Sequence, residues 1–108
     1  MELIKRGIVM IENCQISEIG LWFEGHGVCS LRIELSCNCS FYIELSKINN
    51  FIRDFLQCFD EGVVGNYNDL YIKNLKGKYL RAHFDDNERL IGLSHIIKDY
   101  GFNLTKYY

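Results

Sequence analysis

The chain reads as an α+β protein: an antiparallel β-sheet of N-terminal strands packed by one amphipathic helix and followed by a C-terminal β-hairpin. Three observations predict this. Residues 28–35 alternate, with Val28, Leu31, Ile33 and Leu35 apolar and Ser30, Arg32 and Glu34 polar, the pattern of a half-buried strand. Ile48, Phe51, Ile52, Phe55, Leu56 and Phe59 recur at three- and four-residue spacing, the stripe of a helix with one apolar side. Residues 78–84 and 89–97 are strand-like runs parted by Asp85-Asp86-Asn87-Glu88, a turn sequence, and so form a hairpin.

The other elements follow in order. Residues 7–23 are rich in Ile, Val and Leu with polar residues interspersed, which predicts one long bent strand or two short ones. Glu24-Gly25-His26-Gly27 is a turn, residues 36–40 form a second, and 41–45 return as a strand. Ser46 is placed to cap the helix, and Gly62 and Gly65 to end it and open a loop. Residues 69–75 read as a helical turn closed by Gly77, and residues 98–108 as an aromatic, basic tail. At 108 residues, 48% of them hydrophobic, the chain suits a single domain, 1–108.

Composition narrows the function. Met1 to Met10 carries Glu2, Lys5 and Arg6 and no continuous apolar stretch, so no secretory signal is expected. No segment approaches the roughly 20 apolar residues of a membrane helix, so no membrane partner is expected. Five cysteines, an odd and scattered set, suit reduced thiols in a cytoplasmic protein. Cys37 and Cys39 are the one tight pair. Zinc would need further ligands converging on them at an unusual spacing, so metal and other cofactors are not expected. Phosphate-loop, dinucleotide-binding and serine-nucleophile motifs are absent, which points away from catalysis.

Charge is uneven. The net charge of −2 divides into −5 over residues 1–69 and +3 over residues 70–108. A basic C-terminal part on an acidic body suits a local anionic ligand rather than long nucleic acid. Lys76-Gly77-Lys78 combines positive charge with a residue that lets a ligand approach the backbone, and Arg81 can grip phosphate through paired hydrogen bonds. His95, Lys98 and Asp99 lie with Tyr100 and Phe102 within eight residues, where rings can stack on a base and cations can meet phosphates.

The runs Leu75-Lys76-Gly77-Lys78-Tyr79-Leu80-Arg81 and Ile91-Gly92-Leu93-Ser94-His95-Ile96-Ile97-Lys98-Asp99-Tyr100-Gly101-Phe102 resemble the C-terminal half of phage anti-Thoeris proteins of the first-described, sponge type. Asn13-Cys14-Gln15-Ile16 and residues 21–27 are similar to their N-terminal half. A glycine-rich stretch of that family stands here as Cys37-Asn38-Cys39-Ser40-Phe41-Tyr42, without glycine. The resemblance implies a protein of the host bacterial cytosol that sequesters a cyclic nucleotide immune signal without cleaving it. That signal would be a cyclic ADP-ribose isomer or a cyclic oligonucleotide, and the protein a homo-oligomer, at least a dimer. It implies adenine stacking by Phe41 or Tyr42 and pyrophosphate binding by Lys78 and Arg81. Ribose hydroxyls or the second phosphate would fall to His95, Lys98 and Asp99. A protein-binding inhibitor of a bacterial defence or toxin component is the alternative that the acidic N-terminal body favours.

Overall fold

A computed structural model describes residues 10–59 and 72–108. Six strands form one antiparallel sheet: β1 (Met10–Phe23), β2 (Cys29–Leu35), β3 (Cys39–Glu44), β4 (Tyr79–Phe84), β5 (Leu90–Ser94) and β6 (Gly101–Asn103), in the spatial order β3-β2-β1-β4-β5-β6. Among the described residues there is one α-helix, α1 (Ile48–Leu56), which follows β3. The predicted α+β class holds, and the C-terminal hairpin β4–β5 is not an appendage: β4 pairs with β1, so both halves share one sheet.

The long strand makes that sharing possible. The first part of β1 pairs with β4, from Met10 opposite Phe84 to Gln15 opposite Tyr79. Its second part pairs with β2, from Ile16 opposite Leu35 to Phe23 opposite Cys29. The register shifts between Ile16 and Glu18, where the Ser17 hydroxyl donates to the Glu34 carbonyl at 3.0 Å. An extra residue of this kind bends a strand and sharpens its twist. The sheet therefore curls, and the helix occupies the concave side. Phe51, fully buried, touches Phe41 of β3 at one end of the sheet and Phe102 of β6 at the other, with ring centroids 6.0 and 6.1 Å away. Phe55 stacks on it at 4.9 Å, and Tyr107 meets it edge-on at 5.4 Å.

Turn chemistry explains the hairpins. Asp85 Oδ1 accepts the backbone N–H groups of Asn87 and Arg89, both at 2.9 Å, and Glu88 takes φ 61° to close the predicted turn. Asn38, at φ 62°, does the same between β2 and β3, asparagine being among the residues that best tolerate that region. Gly27 sits at φ 79° in the first turn, and Gly77 at φ 88° follows the 3-10 turn Ile72–Leu75, as predicted for a helical turn closed there.

Three boundary expectations are corrected. Ser46 does not cap the helix: it lies inside a 3-10 turn, Leu45–Lys47, and Lys47, at the N-cap of α1, makes no side-chain capping bond. The helix ends at Leu56, ahead of the glycines expected to stop it. Cys58 N–H and Phe59 N–H already bond three residues back, to Phe55 and Leu56, which tightens the chain out of the α-helix. Gly62 and Gly65, the loop they were expected to open, and residues 7–9 of the first strand lie outside the described residues. The strand expected at 89–97 stops at Ser94, because the His95 ring takes over the backbone hydrogen bonding. Its Nδ1 accepts the N–H groups of Ile97 and Lys98, both at 3.0 Å, and this folds the chain into a loop.

The tail is core. Phe102, Leu104 and Tyr107 are buried, the last two in a 3-10 turn, Leu104–Tyr107. Tyr107 Oη donates to the Asp54 carboxylate and lies 3.0 Å from the Asn50 carbonyl, Lys106 pairs with Asp54 at 2.8 Å, and Tyr100 Oη donates to the Asp54 carbonyl at 3.1 Å. Burial alone would raise the Asp54 pKa, but Lys106 and Tyr107 outweigh it and leave it lowered. Asp54→Ala is expected to cost about 1–3 kcal/mol in urea denaturation, because it removes the charged acceptor of a buried phenol and the partner of Lys106.

A second pH-sensitive group lies across the sheet. His83 is 3% exposed, with Nε2 2.7 Å from Ser94 Oγ and Nδ1 without a hydrogen-bond partner among the described residues. Burial, and then Arg81, lower its pKa below 6.5. The unfolded chain therefore takes up a proton more readily than the folded one. Stability falls as pH drops below 6.5 and keeps falling until the folded-state value is passed. Asp54 acts in the same direction at more acid pH, where its carboxylate titrates. Thermal midpoints recorded from about pH 7.5 to about pH 5 should decline, and the decline should flatten in His83→Gln, which keeps a partner for Ser94 without the titration.

Candidate ligand cleft

Where α1 gives way to residues 57–59, the start of β4 and the loop after β5 come together. They enclose a cleft of about 300 Å³ lined by Cys58, Phe59, Gly77, Lys78, Tyr79, His95 and Ile96. The volume lies at the lower end of the range for small-molecule sites. Gly77 N–H donates to the Ile16 carbonyl at 2.7 Å and Lys78 N–H to the Leu75 carbonyl at 3.0 Å, so the backbone beneath the lysine is fixed. The lysine itself is exposed.

The opposite wall is fixed by His95 and Arg81. With Nδ1 accepting two backbone N–H groups, the neutral ring carries its proton on Nε2. Arg81 lies on the same side of β4 as Tyr79, one pleat further along. Its Nε donates to Asn13 Oδ1 at 3.2 Å, and one terminal nitrogen donates to the Ile96 carbonyl at 2.6 Å. It braces the loop that carries His95, so part of its hydrogen-bonding fork is already engaged. Lys98 and Asp99 are exposed on that same loop. Lys76, one residue before Gly77, pairs with Glu18 at 2.8 Å.

Of the residues nominated from sequence, Lys78 and His95 line the cleft, Arg81 supports its wall, and Lys98 and Asp99 follow His95 on the loop. The aromatic nominees lie elsewhere. Phe41 is 4% exposed and packed on Phe51; it lies away from the cleft and only borders the hollow beside Tyr42. Tyr42 is exposed on the outer side of β3 and borders another hollow, of about 430 Å³, with Ser40, Glu88, Arg89 and Tyr108. The exposed ring in the cleft is Tyr79, 54% accessible. Its position directly after Lys78, at the start of a strand, was the available signal.

Burial holds three of the thiols protonated. Burial, followed by the charge of Asp54, raises the Cys58 pKa, so the cleft thiol stays protonated. Burial also pushes Cys39 up to about 12 and raises Cys14, with Cys37 beside both and its sulfur 3.6 Å from that of Cys39. Among the described residues no three His, Cys, Asp or Glu side chains converge as a metal site would require. No helix among them is long and apolar enough to cross a membrane.

Comparison with protein families, with curated proteins and with solved structures found no match to this chain.

Proposed function

We propose that the chain binds an anionic nucleotide of the cyclic ADP-ribose class in the Lys78–His95 cleft and sequesters it without cleaving it. The observation that carries the reading is the meeting of Lys78, Gly77, Tyr79 and His95 around one cleft of about 300 Å³. Each has a physical task there. Lys78 supplies a charge-assisted donor to the pyrophosphate, Tyr79 a face for a purine, and Gly77 the close backbone approach. Arg81 holds the Ile96 carbonyl and through it the loop. Lys98 adds positive charge on that loop.

The same geometry favours holding over cleaving. The Nδ1 lone pair of His95 is taken by two backbone donors, and the Cys58 thiol is protonated, so neither offers a ready base or nucleophile. Isothermal titration of the purified chain with cyclic ADP-ribose isomers should give saturable binding, and heating the complex should return the ligand intact. Absence of binding at millimolar ligand, or recovery of a linear product, overturns the proposal.

A further inference from the structure

A second surface shares no lining residue with the cleft. Residues 10–44 contain five glutamates and a single basic residue, Arg32, for a net charge of −4. Strand pairing puts Glu18, Glu34 and Glu44 on the convex side of β1–β3. Glu18 stands opposite Glu34 and Ser30 opposite Glu44, on the face that also carries Trp22, Arg32 and Tyr42. Like charges paired directly across strands cost stability. Here the cost is eased locally by Lys76 on Glu18 and by Arg32 on Glu34, at 2.8 and 3.0 Å.

Large apolar side chains are exposed among these charges. Trp22 and Tyr42, each more than 40% accessible, stand on this face; Val28, also exposed, lies between β1 and β2, while Phe23 and Leu21, opposite Cys29 and Leu31, are exposed on the other side of the same strand. Exposed rings of this kind on one face are characteristic of a protein-binding surface. Arg32 lies between Trp22 and Tyr42, 5.9 and 6.0 Å from the two ring centroids, so this aromatic pair already holds a guanidinium of the chain itself. Next to it a hollow of about 410 Å³ is lined by Glu24 and Glu44 with Tyr42, Tyr107 and Tyr108. Lys47, on the same wall, donates to the Tyr108 carbonyl at 3.2 Å. A cation entering there meets two carboxylates and aromatic faces.

We propose that this convex face docks a basic protein segment, with an arginine side chain of the partner entering the hollow between Glu24 and Glu44 beside Tyr42. Charge complementarity selects that occupant. Nucleic acid would bring phosphates against the glutamates, and a second copy of the same face would set glutamate against glutamate.

Trp22 is the sole tryptophan, so its emission reports on this face. The probe is a nonapeptide of alternating arginine and leucine, titrated into the full chain. The expected result is a saturable change in Trp22 emission that weakens as salt rises, with no change from the glutamate–leucine counterpart. By calorimetry, the double variant Glu24→Gln, Glu44→Gln should bind the arginine peptide about tenfold more weakly. Its thermal midpoint should be unchanged, because both side chains are exposed. Equal affinity for the double variant and the parent overturns the proposal. So does equal response to the acidic peptide, a response to single-stranded oligonucleotide, or self-association of the chain that buries Trp22. Nucleotide titration of the same double variant should be unaffected, which separates this surface from the cleft.

Discussion

Replacing Phe51 by alanine is expected to destabilise the fold by about 3–5 kcal/mol, enough to unfold a large part of a protein of this size near physiological temperature. The effect is large because one ring is shared by elements distant in sequence. Phe51 is fully buried and contacts Phe41, Phe55, Phe102 and Tyr107. The cavity would open between the helix and both ends of the curled sheet, where no single side chain can move to fill it. Phe51→Leu keeps most of the apolar volume and should cost less than half as much. Chemical denaturation of the two variants checks the ordering. Similar, small losses in both would show that the sheet does not depend on the helix for its curvature.

The second large effect concerns the ligand. Lys78→Glu is expected to lower affinity for a pyrophosphate-bearing nucleotide by about 10- to 100-fold, the range for losing a hydrogen bond to a charged group. Lys78 makes no tertiary hydrogen bond through its side chain among the described residues, and it is exposed, so the fold should be unaffected. Arg81→Ala should behave differently. It frees the Ile96 carbonyl and the Asn13 side chain, loosening the loop as well as removing charge, and so should lower both affinity and thermal midpoint. Tyr42→Ala should leave nucleotide affinity unchanged, because that ring lies on the outer face of β3 away from the cleft.

These contrasts mark what the sequence made legible. The alternation in β2, the helical stripe that starts at Ile48 and the turn at Asp85 each reflect a local rule and each appears where its rule places it, although the helix stops at Leu56, short of Phe59. The tail did not follow from composition, because Phe102 and Tyr107 pack on a helix some 50 positions away, at Phe51, Asn50 and Asp54. Helix capping failed as a guide at Ser46 because a 3-10 turn precedes the helix and moves its start. In the cleft, positive charge and glycine were visible as Lys76-Gly77-Lys78. The aromatic member, Tyr79, had only its place beside Lys78 to mark it, since strand alternation alone does not say which side of a bent sheet is concave. Phe41 and Tyr42 are adjacent in sequence, yet they face the core and the solvent respectively.

The claim on which the functional reading depends is that Lys78, Tyr79 and the His95 loop act as one binding surface. Backbone amide shifts recorded during titration with a cyclic ADP-ribose isomer test it directly. The predicted result is saturable perturbation centred on Gly77, Lys78, Tyr79, His95 and Lys98, absent from the same titration of Lys78→Glu. Perturbation centred instead on Tyr42, Arg89 and Tyr108, or no perturbation at saturating ligand, would contradict it.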